Sequence, residues 1–135
     1  MPTYEHRQLS YWIVIICALS FVLTAMFRSL APLLFLVAVA VVFSTLSTRV
    51  DANGISWAFG LGAPRGSIPL ADIADVQITK TNFWEGFGIH WTIWHGWLWN
   101  VWGYRAVMIR KRNGATVTLG TDDPQGLYDA IARFR

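Results

Sequence analysis

The chain has 135 residues, 54% of them hydrophobic and 14% charged, with a formal net charge of +3. That length allows one modest domain plus a small addition, and the apolar fraction exceeds what a soluble domain of this size usually carries. The mild, scattered charge argues against a nucleic-acid partner, and the single cysteine, Cys17, excludes a disulfide framework or a thiolate metal site.

After a short N-terminal tail (residues 1–8) comes a run from 9 to 46 that carries one charge, Arg28. As a single helix it would measure about 57 Å at 1.5 Å per residue, far beyond the ~30 Å hydrocarbon core of a bilayer. The string Arg28-Ser29-Leu30-Ala31-Pro32 breaks it, because Ser29 is a capping residue type and Pro32 is tolerated in a first helical turn. The expectation is a transmembrane helical hairpin with spans 9–27 and 30–46. A cleaved secretory signal does not fit, since a second apolar segment follows where a cleavage site and a polar chain belong. A buried soluble hairpin fits poorly, because the rest of the chain is too short to cover two all-apolar helices. Arg7, Arg49 and Arg65 flank the outer ends against Arg28 in the turn, which places both termini in the cytoplasm. The spans hold no Asp, Glu or His, so transport and pigment ligation by this chain alone are not expected. Ala18, Ala25, Ala38 and Ala40 permit close helix packing.

From 47 to 135 the texture changes to short β-prone runs. Asn53-Gly54 and Asn113-Gly114 each sit between two such runs and predict hairpins. The stretch Gly62 to Leu70 reads as a loop. The aromatic stretch GIHWTIWHGWLWNVWGYRAV is ambiguous by period alone, but Gly86, Gly88, Gly96 and Gly103 would cost a helix about 1 kcal/mol each. Strands over 88–94 and 97–102 are the better reading. Thr121, Asp122 or Asp123 then caps a final helix that has Pro124 in its first turn and Leu127, Ile131 and Phe134 on one face. The total is about seven strands and one C-terminal helix.

The strings FGIHW, GWLWNVWGYRAVMIRKRNG and VTLGTDDPQGL resemble the bacterial pleckstrin-homology-like domain of small membrane proteins with two N-terminal helices. The resemblance spans 47–135 and departs from the family pattern at His90, Trp99 and Trp102. It implies a membrane-anchored α+β protein of the bacterial inner membrane. Its β-domain would be a PH-like barrel, two near-orthogonal sheets closed at one end by the helix. The resemblance implies no shared catalytic residues.

Candidate chemistry is sparse. His90 and His95, five apart on strands with a bend between them, have no fixed geometry for a metal, and Glu85 belongs to the preceding loop. Asp72 and Asp75 bracket a strand start, and Asp122 and Asp123 serve the helix cap. No nucleophile elbow or phosphate loop is present. No catalytic residue, cofactor or metal is therefore expected. Arg110, Lys111 and Arg112 at the second hairpin are candidates for anionic-lipid contact. The tryptophans exceed what one inner sheet face absorbs, so Trp97 and Trp99 are expected inward, while Trp91, Trp94, Leu98 and Trp102 are expected to form a contact surface. The reading is a non-enzymatic integral inner-membrane protein whose PH-like domain docks onto a membrane-protein partner, as accessory or assembly subunit of a larger complex. Its partners are the lipid bilayer and that complex, with no nucleic acid. The alternative is a membrane-surface lipid or small apolar ligand binding module.

Overall fold

In the computed structural model, which describes residues 3–85 and 88–135, the N-terminal tail enters as a strand. This strand, β1 (Tyr4–Leu9), pairs antiparallel with β2 (Thr45–Asp51), Leu9 lying opposite Thr45. Everything between them is an excursion from the sheet: α1 (Trp12–Phe27), a tight turn, and α2 (Ala31–Val42). Arg28 makes the turn in the left-handed region at φ 50°, and Ala31 N donates to Ser29 Oγ at 3.3 Å. The base of the excursion is tied by Ser10 N donating to Ser44 O at 2.7 Å.

This tie corrects the expected transmembrane hairpin. The spans read over 9–27 and 30–46 lose their outer ends to the β-ladder, leaving helices of 16 and 12 residues. At 1.5 Å per residue these reach about 24 and 18 Å, short of the ~30 Å hydrocarbon core. Among the described residues, no helix is long and apolar enough to cross a membrane. The membrane-anchored fold class and the multi-pass inner-membrane location with both termini in the cytoplasm fall with it.

The remaining strands are β3 (Gly54–Phe59), β4 (Arg65–Pro69), β5 (Ile73–Lys80), β6 (Gly88–Thr92), β7 (Gly96–Asn100), β8 (Arg105–Lys111) and β9 (Thr116–Gly120). They form a four-stranded sheet in the order β1-β2-β3-β4 and a five-stranded sheet in the order β5-β8-β9-β7-β6. The expected barrel of about seven strands is corrected on both counts: more strands form, and the sheets do not close into a barrel. The tail supplies β1, and the stretch read as a loop supplies β4, whose Ser67 and Ile68 pair with Ser56 and Ile55. The first turn also shifts by a residue: Asp51 lies opposite Gly54, so Ala52 and Asn53 make it. Gly86 and Phe87, used in reading the aromatic stretch, lie outside the described residues.

The core lies between the inner faces of the sheets. Leu46, Val50, Ile55 and Phe59 from one meet Val107, Ile109 and Leu119 from the other, all buried. Trp99 joins the two, stacked on Phe59 at 5.9 Å between ring centres and edge-on to Trp57 at 5.5 Å. The final helix, α3 (Pro124–Phe134), buries Leu127, Ala130 and Ile131 against this core. Asp123 caps it, its Oδ1 accepting from Gly126 N at 3.0 Å.

Strand register defines two poles. At the hairpin pole, Gln8 Nε2 donates to Trp102 O at 2.7 Å, Ser10 Oγ to Val101 O at 3.1 Å, and Thr121 N to Arg105 O at 3.0 Å. At the opposite pole, Leu70 N donates to Asn53 O at 3.3 Å and Arg112 N to Asp72 O at 2.8 Å.

Candidate docking surface

The helical hairpin is apolar on all sides, a pattern that in water belongs to a helix covered on all sides. Here it is not covered. Phe21 is 77% exposed, and Val14, Met26, Phe27, Leu34 and Phe35 are similarly open. Ser20 is fully buried, its hydroxyl turned back onto the Ile16 carbonyl, and Ala40 is the buried residue of α2. Burying a large apolar side chain is worth about 1.5–3 kcal/mol. Cover over this surface would therefore yield a free energy on the order of 10 kcal/mol, comparable to the whole stability of a small domain.

Around the base of the hairpin the β-domain presents cations and aromatic rings. Arg7 is exposed near the end of β1, and its guanidinium donates to Thr45 Oγ1 at 3.5 Å. Register carries that row across the first sheet through Ser47 and Ala58 to exposed Arg65. In the second sheet Lys80 and Arg105, both exposed, lie opposite one another at the same pole. Tyr11 stands edge-on to Trp102 at 5.6 Å, and Tyr104 is half exposed beside them. Asp122 is an acid of this region and is paired with His6.

The expected contact surface divides. Trp91 and Trp94 are exposed, together with Ile93, at the end of the β6–β7 hairpin away from Asn100. Leu98, expected outward, is 0% exposed. Over the outer face of the second sheet, where Thr118 lies opposite Leu98, the 3-10 turn Phe83–Glu85 and the segment leading to His95 form a roof, His95 O accepting from Thr118 Oγ1. Trp102 is half-buried against Tyr11. Trp99 points inward as expected, whereas Trp97 on the same face is 50% exposed because it lies at the sheet's open end.

The roof is held by a network that the sequence did not announce. Glu85 Oε1 contacts His95 Nδ1, and His95 Nε2 meets Thr79 Oγ1 at 3.1 Å. Glu85 Oε2 accepts from Asn82 N at 2.9 Å, His95 N donates to Thr92 Oγ1 at 3.0 Å, and Thr118 Oγ1 donates to His95 O at 2.7 Å. Glu85 and His95 are both buried. A carboxylate, an imidazole and a hydroxyl in line have the connectivity of an acyl-transfer triad. Here each of these donors and acceptors is spent on fastening the roof. His90 sits on β6 opposite Leu98. Among the described residues, no three His, Cys, Asp or Glu side chains gather at metal-binding spacing.

Arg110, Lys111 and Arg112 lie at the pole opposite the hairpin. Arg110 faces Asp75 at 3.6 Å, and Arg112 Nε donates to Ala71 O at 2.7 Å. Asp72 and Asp75 sit at the start of β5, and Asp122 and Asp123 anchor the N-terminal strand to α3. Tyr4 Oη donates to Asp123 Oδ2 at 3.1 Å, and burial together with the two carboxylates pushes the phenol pKa well above its usual value. No family model matches the sequence, and no curated protein matches it.

Proposed function

We propose that the chain is a non-enzymatic membrane-surface binding module, carried on a β-domain of the pleckstrin-homology-like kind. The uncovered, all-round apolar hairpin carries this reading. It buries in the acyl region from one side of a bilayer without crossing. Arg28 at its tip sets the depth, because a charge is expelled from hydrocarbon and its long side chain reaches back to phosphate. A tilted hairpin, apolar on all sides and sunk in one leaflet with Arg28 within its side chain's reach of the headgroups, meets that demand. The base of the hairpin supports lipid as the occupant: Tyr11, Trp102 and Tyr104 suit the headgroup level, and Arg7, Arg65, Lys80 and Arg105 complement anionic lipid.

The test is flotation of the full chain with phosphatidylcholine–phosphatidylglycerol vesicles. The protein should rise with the vesicles, and a Phe21→Ser, Leu34→Ser, Phe35→Ser variant should stay in the load fraction with its β-sheet circular dichroism unchanged. A wild-type chain that ignores vesicles defeats the reading. A second reading, an accessory subunit on a protein partner, draws on Trp91, Ile93 and Trp94, an exposed apolar cluster away from the hairpin pole, since tryptophan is a preferred interface anchor. A stoichiometric protein that is released by Trp94→Ser, with lipid binding absent, would favour it.

A further inference from the structure

Where the hairpin meets the sheets there is a cleft of about 450 Å³. Ile13 and Ile16 of α1 line it with Ala40 of α2, Phe43 just past the end of α2 and Val101 beyond the end of β7. Its volume falls within the ~300–1,000 Å³ range of small-molecule sites. Among the described residues two polar side chains reach it, Ser10 and Asn100, and both are engaged internally. Ser10 Oγ donates to Val101 O at 3.1 Å. Asn100 Nδ2 donates to Gly103 O at 2.9 Å, and its Oδ1 accepts from Trp102 N at 3.3 Å. Water against this largely apolar lining finds few partners on the protein and is readily displaced by an apolar guest. A ligand with its own polar demand inside the cleft is equally unsuited. The fitting occupant is flexible, linear and apolar.

We infer that this cleft binds one alkyl chain, the tail of a fatty acid or of a phospholipid, between the helical hairpin and the β-domain. Ile13 and Ile16 of the lining flank the exposed Val14 and Ile15 on the same apolar helix, so a chain can enter from lipid or from solution with its polar end left outside. The site rests on the cleft and not on the surface reading, since a free fatty acid can fill it where no bilayer is present.

The experiment is equilibrium binding of palmitate to the full chain, kept monomeric by a fixed concentration of a mild detergent. Saturation at one palmitate per chain is expected. Ala40→Leu and Ala40→Phe, which fill the cleft from α2, should weaken binding progressively, the latter at least tenfold. The Phe21→Ser, Leu34→Ser, Phe35→Ser variant changes the outer hairpin alone and should bind palmitate within twofold of wild type even as vesicle flotation is lost. No saturable binding, or unchanged affinity in folded Ala40 variants, overturns the inference. Should the Ala40 variants not fold, photocrosslinking decides it. A palmitate carrying a chain diazirine should label Ile13, Ile16, Phe43 or Val101, and labelling confined to 21–35 overturns the site. The same diazirine on a phosphatidylcholine tail in vesicles separates the two sources: label from it assigns a phospholipid tail, and label from palmitate alone assigns a free fatty acid.

Discussion

Glu85 is the residue on which the outer face of the second sheet depends. It lies ten positions before His95, in a segment whose glycines and aromatic rings give no sign of a buried carboxylate. Removing one partner of this buried hydrogen-bonded pair leaves the other unsatisfied, at a cost of up to about 3 kcal/mol. Glu85→Ala and His95→Ala should each lower stability by about that amount in urea unfolding, with the double variant far from additive. Thr79→Val should cost only about 1 kcal/mol, the scale of one hydrogen bond; an equal loss would mean that the hydroxyl holds the roof as firmly as the acid. Tyr4 gives a pH signature of definite sign. Its folded pKa lies above the unfolded value of about 10, so the native state retains a proton that the unfolded chain releases. The contribution is fully present below that pH and is lost as pH rises above it. Denaturation midpoints should fall above pH 10, and Tyr4→Phe should flatten that part of the fall.

At the scale of elements, the poles make different electrostatic predictions. Arg7→Gln with Arg65→Gln should weaken association with phosphatidylglycerol-containing vesicles by about fivefold per residue, at ~1 kcal/mol each near an anionic surface. Arg110→Gln with Arg112→Gln should leave it unchanged, because those side chains lie at the far end of β8 and already meet Asp75 and the Ala71 carbonyl. The reverse pattern would place the lipid at the wrong pole. The elements legible in the sequence were those fixed by local chemistry. The Asn113-Gly114 turn and α3 with its Asp123 cap form where their turn residues and periodicity place them, and the two aromatic strands form as a pair, each ending two residues before its expected end. What escaped was non-local. The tail becomes β1 only because β2 offers it a partner across the whole hairpin, and that ladder shortens both helices. Leu98 has the alternation of an outward residue and is nevertheless buried, on a face that the segment fastened by Glu85 and His95 crosses. Period-two patterning tells which residues share a face, not whether something later covers that face.

For the whole molecule, the uncovered hairpin dominates behaviour in water. An exposed apolar surface of this extent drives self-association unless lipid, detergent or a partner covers it. Sedimentation of the full chain should show a monomer in mild detergent and large assemblies after its removal. The Phe21→Ser, Leu34→Ser, Phe35→Ser variant should shift that balance towards monomer. A wild-type chain that stays monomeric without any amphiphile would contradict the solvent exposure described for α1 and α2.

The tie between Ser10 and Ser44 has a further consequence for how the chain acquires its form. Because Leu9 and Thr45 are partners in one ladder, the helices are a detour that starts and finishes at nearly the same place. Closing that detour carries an entropic charge of about 0.6 kcal/mol for each doubling of its length. A two-residue Asn-Gly link in its stead would cut the charge by roughly 2.5 kcal/mol and join β1 to β2 as an ordinary hairpin. The sheets and α3 should then fold faster, having fewer long closures to make before β1 docks. The amphiphile-seeking half and the β-scaffold are thus separable in one cut, and the scaffold is the half expected to remain folded by itself.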